Sequence, residues 1–137
     1  MKTDVLNKNS NAFAQEISVR PNAVEYHGSS FTLDNAADVG STHIITDDAT
    51  VTLPATSAGL SYTLVAYSGE DGVEITVSPN ASDKFLGGCG KAAAGADNKD
   101  LIFSNGKDGD CVKLLADGTN GWYITHLSDA SKVSYES

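Results

Sequence analysis

The sequence predicts an all-β protein: a compact antiparallel β-sandwich or barrel preceded by an extended N-terminal arm. Short runs rich in β-branched and aromatic residues recur between Pro, Gly and Asp punctuation, the pattern of strands joined by tight turns. Within one run Val73, Ile75 and Val77 alternate strictly with Glu74, Thr76 and Ser78, so one face is apolar and the other wet. Neither a sustained helical period nor an internal repeat of roughly 20–50 residues is found.

Residues 1–40 read as the arm and attachment segment, 41–128 as the β domain and 129–137 as a polar tail. In the arm a strand is expected over Gln15 to Val19, stopped by Pro21, with shorter extended pieces at Ala23 to Tyr26 and Phe31 to Leu33. Asp34 to Gly40 reads as a loop and Thr42 to Thr46 as a strand. The centre of the chain runs from Thr50 to Pro79. Pro54 ends its first run because it cannot donate to a ladder, and Gly59 permits the turn back. An antiparallel meander is therefore expected there.

Beyond Pro79, Lys84 to Leu86 is a brief run, and Gly87 to Asp100 reads as a long loose loop. Leu101 to Phe103 is a buried run for which Asn105-Gly106 supplies a turn pair. Asp110 to Ala116 and Gly121 to Leu127 form a hairpin through Asp117-Gly-Thr-Asn-Gly121, with Val112 and Leu114 on one side and Trp122 and Ile124 on one face of the return strand. Trp122 and Tyr123 point to opposite faces, so at most one of them is core and the other is left for a surface.

Composition narrows the function. Leu, Ile, Val and Phe total 30 of 137 residues, about 22%, just above the roughly 20% below which disorder is expected. The core is thin, which predicts a chain that gains stability by associating with itself or with a larger surface. The net charge is −9 with a single arginine, Arg20. Nucleic acid is excluded as a partner, because phosphate binding needs clustered Lys and Arg. Residues 1–20 carry +1 and the remainder −10, the distribution of a near-neutral arm on an acidic body. No apolar leader and no run of about 18 apolar residues is found, so synthesis in a cytoplasm and no membrane partner are expected. Cys89 and Cys111 are then expected as free thiols.

Each chemical motif has a simpler reading beside it. His27, His43 and His126 lie far apart in sequence, outside His-x-His or His-x-x-x-His spacing, and read as structural or solvated. No Gly-x-Ser-x-Gly elbow is found. Asp97-Asn-Lys-Asp100, Asp108-Gly-Asp110 and Asp117-Gly-Thr-Asn120 resemble calcium loops, but the alternation fails at Val112, and turn chemistry explains them better. Gly87-Gly88-Cys89-Gly90-Lys91 resembles a phosphate cradle, yet Phe85 and Ala92 stand where glycine and Ser/Thr are needed. These five residues read as a surface or partner loop. No catalytic, cofactor or metal residue is assigned, and the chain is not read as an enzyme.

Three strings carry a resemblance: Val51-Thr-Leu-Pro-Ala-Thr-Ser-Ala-Gly-Leu-Ser-Tyr-Thr-Leu-Val65, Gly72-Val-Glu-Ile-Thr-Val-Ser-Pro79, and Gly109-Asp-Cys-Val-Lys-Leu-Leu-Ala-Asp-Gly-Thr-Asn-Gly-Trp-Tyr-Ile124. Over about residues 45 to 127 the chain resembles a β module of tailed-bacteriophage virion proteins. That module occurs in capsid decoration (cement) proteins and head fibres, and similar strings occur in tail-fibre and baseplate proteins. The resemblance implies a structural homotrimer on the capsid exterior, bound to the major capsid protein. Phe13, Ile17, Val19 and Arg20 would then be the arm's capsid contacts. The alternative it implies is a tail-fibre or baseplate component that binds a host receptor or glycan through Tyr123 and the Gly87–Asp100 loop.

Overall fold

A computed structural model describes residues 24–36, 38–67 and 71–137. The expected strand at Gln15 to Val19, and Phe13, Ile17, Val19 and Arg20, lie outside the described residues. Among the described residues eleven strands form two sheets. They are β1 (Val24–His27), β2 (Phe31–Thr32), β3 (Thr42–Ile45), β4 (Ala49–Thr52), β5 (Ser61–Ala66), β6 (Val73–Ser78), β7 (Lys84–Gly87), β8 (Leu101–Gly106), β9 (Cys111–Ala116), β10 (Gly121–Leu127) and β11 (Val133–Tyr135). One sheet has the order β1-β3-β5-β9-β10-β7, the other β11-β8-β6-β4-β2. Among the described residues neither sheet closes into a barrel, β1 and β7 being the outer strands of one and β11 and β2 of the other. The only helical piece among the described residues is a 3-10 turn at Ala130–Lys132, and no helix is long and apolar enough to cross a membrane.

The all-β expectation holds, but the antiparallel one does not. Up to β6 the chain changes sheet at every strand, so β1, β3 and β5 lie parallel in one sheet and β2, β4 and β6 parallel in the other. The Thr50 to Pro79 stretch is therefore not a meander: β4 and β6 are neighbours, and β5 between them in sequence belongs to the opposite sheet. Pro54 and Gly59 mark the crossing rather than a hairpin. Only from β8 onward do antiparallel pairs dominate, β9 joining β5 and β10, and β8 joining β6 and β11. The expected hairpin between β9 and β10 is present.

Both sheets supply one core. Trp122, Tyr62, Phe85, Phe103, Ile45 and Leu64 are its largest fully buried side chains. Val73, Ile75 and Val77 point inward as the alternation predicted, and Trp122 rather than Tyr123 is the buried aromatic. At β7 and β10 the backbones approach so closely that only glycine fits at 121, where an added Cβ would lie 1.8 Å from the Lys84 carbonyl oxygen.

Three local expectations change. Asn105-Gly106 is no turn: Asn105 sits at φ 55° in a bulge of β8 against β6, and the turn comes later, at Lys107 to Asp110. The extra residue on one strand accommodates the left-handed backbone that Asn tolerates. Residues 129–137, expected as a polar tail, supply β11 to the sheet edge beside β8. The stretch from Gly87 to Asp100, expected to be loose, is held down by Ala94 N–H donating to Phe85 O, by Asn98 N–H donating to Asp83 O and by burial of Ala94.

Candidate functional site

Parallel pairing of β1 with β3 sets Glu25 beside His43 and His27 beside Ile45. Because strand side chains alternate, Glu25 and His27 share the inner face of β1, next to the inward His43 of β3. Two histidines that are 16 residues apart thus meet at the sheet edge, with His27 Nε2 2.9 Å from His43 Nδ1. Glu25 Oε1 stands 3.5 Å from that His27 nitrogen and 3.7 Å from that His43 nitrogen. Among the described residues this is the one group of three such side chains whose donor atoms converge.

The surroundings fix the rings. The first strand of the other sheet brings Phe31 flat against His27, ring centroids 3.5 Å apart and 8° from parallel. His43 is buried at 1% exposure, His27 is largely covered, and Glu25 stands half out in solvent at the mouth. His43 Nε2 lies 2.6 Å from Ser41 Oγ, whose hydroxyl donates to the Asp38 carbonyl oxygen. That carbonyl only accepts, so the Ser41 proton goes there and the ring nitrogen facing Ser41 must carry the hydrogen. His43 Nδ1 is thereby left as a bare lone pair aimed at His27 and Glu25. Burial holds the His43 imidazole below its ordinary range against the opposing pull of Asp38, keeping it neutral.

Two imidazole nitrogens and one carboxylate oxygen make a donor set suited to a borderline divalent cation. Without an ion the same atoms make a His–His hydrogen bond. Reading the histidines by their spacing in sequence missed this, since the partnership depends on which strands pair. The legible signal was Glu25-x-His27 beside Ser41-x-His43, two pairs that each share a strand face. His126 stays apart, exposed on β10 opposite Lys113.

A second feature lies on the reverse side of the same sheet. The outward positions of β1, β3, β5 and β9 carry one charge, Lys113, and no carboxylate, in a chain of net charge −9. Tyr26, Ile44, Val65 and Cys111 occupy one register row across that face, and Tyr67 follows Val65 on the same side. Tyr26 is 69% exposed and Tyr67 59%.

The expected partner loop is a tight reversal. Gly88 and Lys91 exchange two backbone hydrogen bonds of 3.0 Å around Cys89 and Gly90, both at positive φ (53° and 85°). Gly87 is buried at the end of β7, Cys89 Sγ donates to Ile124 O, and Lys91 Nζ donates to Val133 O at 2.7 Å. Lys91 is thus spent on holding the C-terminal strand. Cys89 and Cys111 are both free thiols.

Asp117 and Asp110 have their carboxylates taken up by donors of the protein itself. Asp117 Oδ1 accepts from the N–H groups of Thr119, Asn120 and Gly121, which hold its carboxyl below the usual range. Asp110 accepts from Lys132 Nζ at 2.6 Å, from Lys107 N–H and from Ser128 Oγ. Comparison with family models, with curated proteins and with solved structures returned no match.

Proposed function

We propose that the chain is a structural virion protein, a decoration protein that binds the outer face of a phage head and stabilises it as a homotrimer. The observation that carries this reading is the outer face of the β1-β3-β5-β9 sheet. A chain with twice as many acidic as basic side chains would ordinarily place carboxylates on a solvated sheet face. Here that face has none and is rimmed by exposed tyrosines, amphipathic side chains suited to interfaces. We assign it to a neighbouring copy of the same chain, because an acid-free face is where two such acidic bodies meet without like-charge repulsion. In this reading the two sheets are the layers of a β-sandwich, and the segment before β1, with Phe13, Ile17, Val19 and Arg20, reaches the major capsid protein. The resemblance over residues 45 to 127 supports the same assignment.

The test is the mass of the purified protein in solution, measured with the unaltered chain and with a Tyr26→Lys, Tyr67→Lys double variant. The unaltered chain is expected at three times the single-chain mass and the variant at one. A monomeric unaltered chain overturns the assignment. Labelled antibody on particles then separates head from tail: head labelling supports decoration, and tail labelling favours receptor or glycan binding by a fibre or baseplate component.

A further inference from the structure

We propose that Glu25, His27 and His43 form a binding site for one divalent transition-metal cation of the zinc type, which fastens edge strand β1 to β3. The inference is independent of the virion reading and rests on the inner side of the sheet, opposite the tyrosine face.

Geometry is the first argument. The three donor atoms are separated by 2.9, 3.5 and 3.7 Å. A point equidistant from atoms so placed lies about 2.0 Å from each, which matches zinc–nitrogen and zinc–oxygen bonds of roughly 2.0–2.2 Å. An ion displaced slightly toward the mouth keeps those lengths and leaves a fourth position for water, a tetrahedral arrangement. A hydrogen bond between two histidines accounts for the shortest separation but not for the carboxylate placed to complete the triangle.

Support from behind the ligands is the second argument. A metal-bound histidine normally donates its other ring N–H to a fixed acceptor, which sets its tautomer. His43 does so to Ser41, itself anchored on the Asp38 carbonyl, so the lone pair on Nδ1 is presented before any ion arrives. The Phe31 ring stacked on His27 fixes the second imidazole. His27 Nε2 carries a proton while it donates to His43. On metal binding that proton moves to Nδ1 of the same ring, so both facing lone pairs reach the cation. One carboxylate then reduces the ion's charge from +2 to +1 at a site open to water on one side.

The consequence is mechanical. Two ligands come from β1 and one from β3, so the cation ties down β1, the outer strand of its sheet among the described residues. An ion that binds the folded chain alone raises its stability by mass action.

The untagged full chain, stripped with a chelator and titrated with ZnCl2 by calorimetry, is expected to take up one equivalent. His27→Ala is expected to lose affinity by more than the ~10–100-fold that removal of an outer partner costs. His126→Ala is expected to bind like the unaltered chain. Should His27→Ala unfold, Glu25→Gln at the solvent-facing ligand carries the same expectation without touching the core. A second readout is histidine nitrogen NMR, in which zinc should move the His27 proton from Nε2 to Nδ1. An unaltered chain that takes up no zinc, a His27→Ala or Glu25→Gln chain that takes it up equally well, or a zinc-saturated chain that keeps the Nε2 proton overturns the site.

Discussion

Replacing Gly121 by alanine tests how much stability depends on the close approach of β7 and β10. The new Cβ would lie 1.8 Å from the Lys84 carbonyl oxygen, whereas ordinary contact begins near 3.4 Å. The atom it meets is backbone and cannot swing aside, so the two strands must part. The Lys84 N–H to Asn120 O bond of 3.1 Å fails at that displacement, and the hydrogen bonds at Gly121 O from Asp117 N–H and Thr56 Oγ weaken with it. Two or three such bonds at about 1 kcal/mol each, with loosened packing at the adjoining Phe85–Trp122 pair, give an expected loss of about 3–5 kcal/mol. Gly59→Ala is the control: φ is +90° there but nothing lies within 4 Å. Only backbone strain of roughly 1–2 kcal/mol is expected at Gly59. Urea denaturation of both variants, read as midpoints with unchanged slopes, makes the comparison. Losses within about 0.5 kcal/mol of each other would refute the reasoning, because such agreement leaves nothing for the strand contact to explain.

Further expectations concern charge and burial. The Lys132 ammonium beside Asp110 holds that carboxyl below its ordinary value, so its stabilisation is present above the ordinary aspartate range and is lost as pH falls through it. Lys132→Met should therefore cost about 1–2 kcal/mol at neutral pH, and the difference from the unaltered chain should vanish in acid denaturation series. Burial pushes the Tyr62 phenol up to about 12, so the unfolded chain ionises first. Stability should then drop between about pH 10 and 12 by roughly 2–3 kcal/mol, a drop that Tyr62→Phe removes, as alkaline unfolding curves would show. Phe103→Ala should cost about 3–5 kcal/mol by the same denaturant assay, since its ring is 1% exposed in the shared core. Lys91→Met removes the donor to Val133 O and should speed amide exchange in β11 while leaving β9 and β10 unchanged.

What the sequence conveyed was local. Val73, Ile75 and Val77 declared their inward face because period-two alternation needs no knowledge of the neighbour. The β9–β10 hairpin was legible because Asp117 to Gly121 writes its turn into five adjacent residues. Parallel neighbours carry no such mark. β4 and β6 pair across an intervening strand that lies in the other sheet, and Pro54 and Gly59 announce a change of direction without saying which layer comes next. Asn105-Gly106 misled for a related reason: residues that tolerate a left-handed backbone serve bulges as well as turns. The Glu25, His27 and His43 cluster was hidden by the same gap. Spacing along one strand is visible, but the juxtaposition of β1 with β3 is a property of the winding.

The way the first six strands alternate between layers has a consequence for how such a chain can change in length. Each circuit contributes one strand to each sheet, and successive circuits stack side by side without reversing. Inserting a whole circuit between β2 and β3 would widen both layers together and leave every inward residue inward. A lone extra strand would instead send all that follows to the wrong layer. Growth at this end is therefore quantised in complete loops, whereas β9 and β10, consecutive neighbours in one sheet, break that alternation.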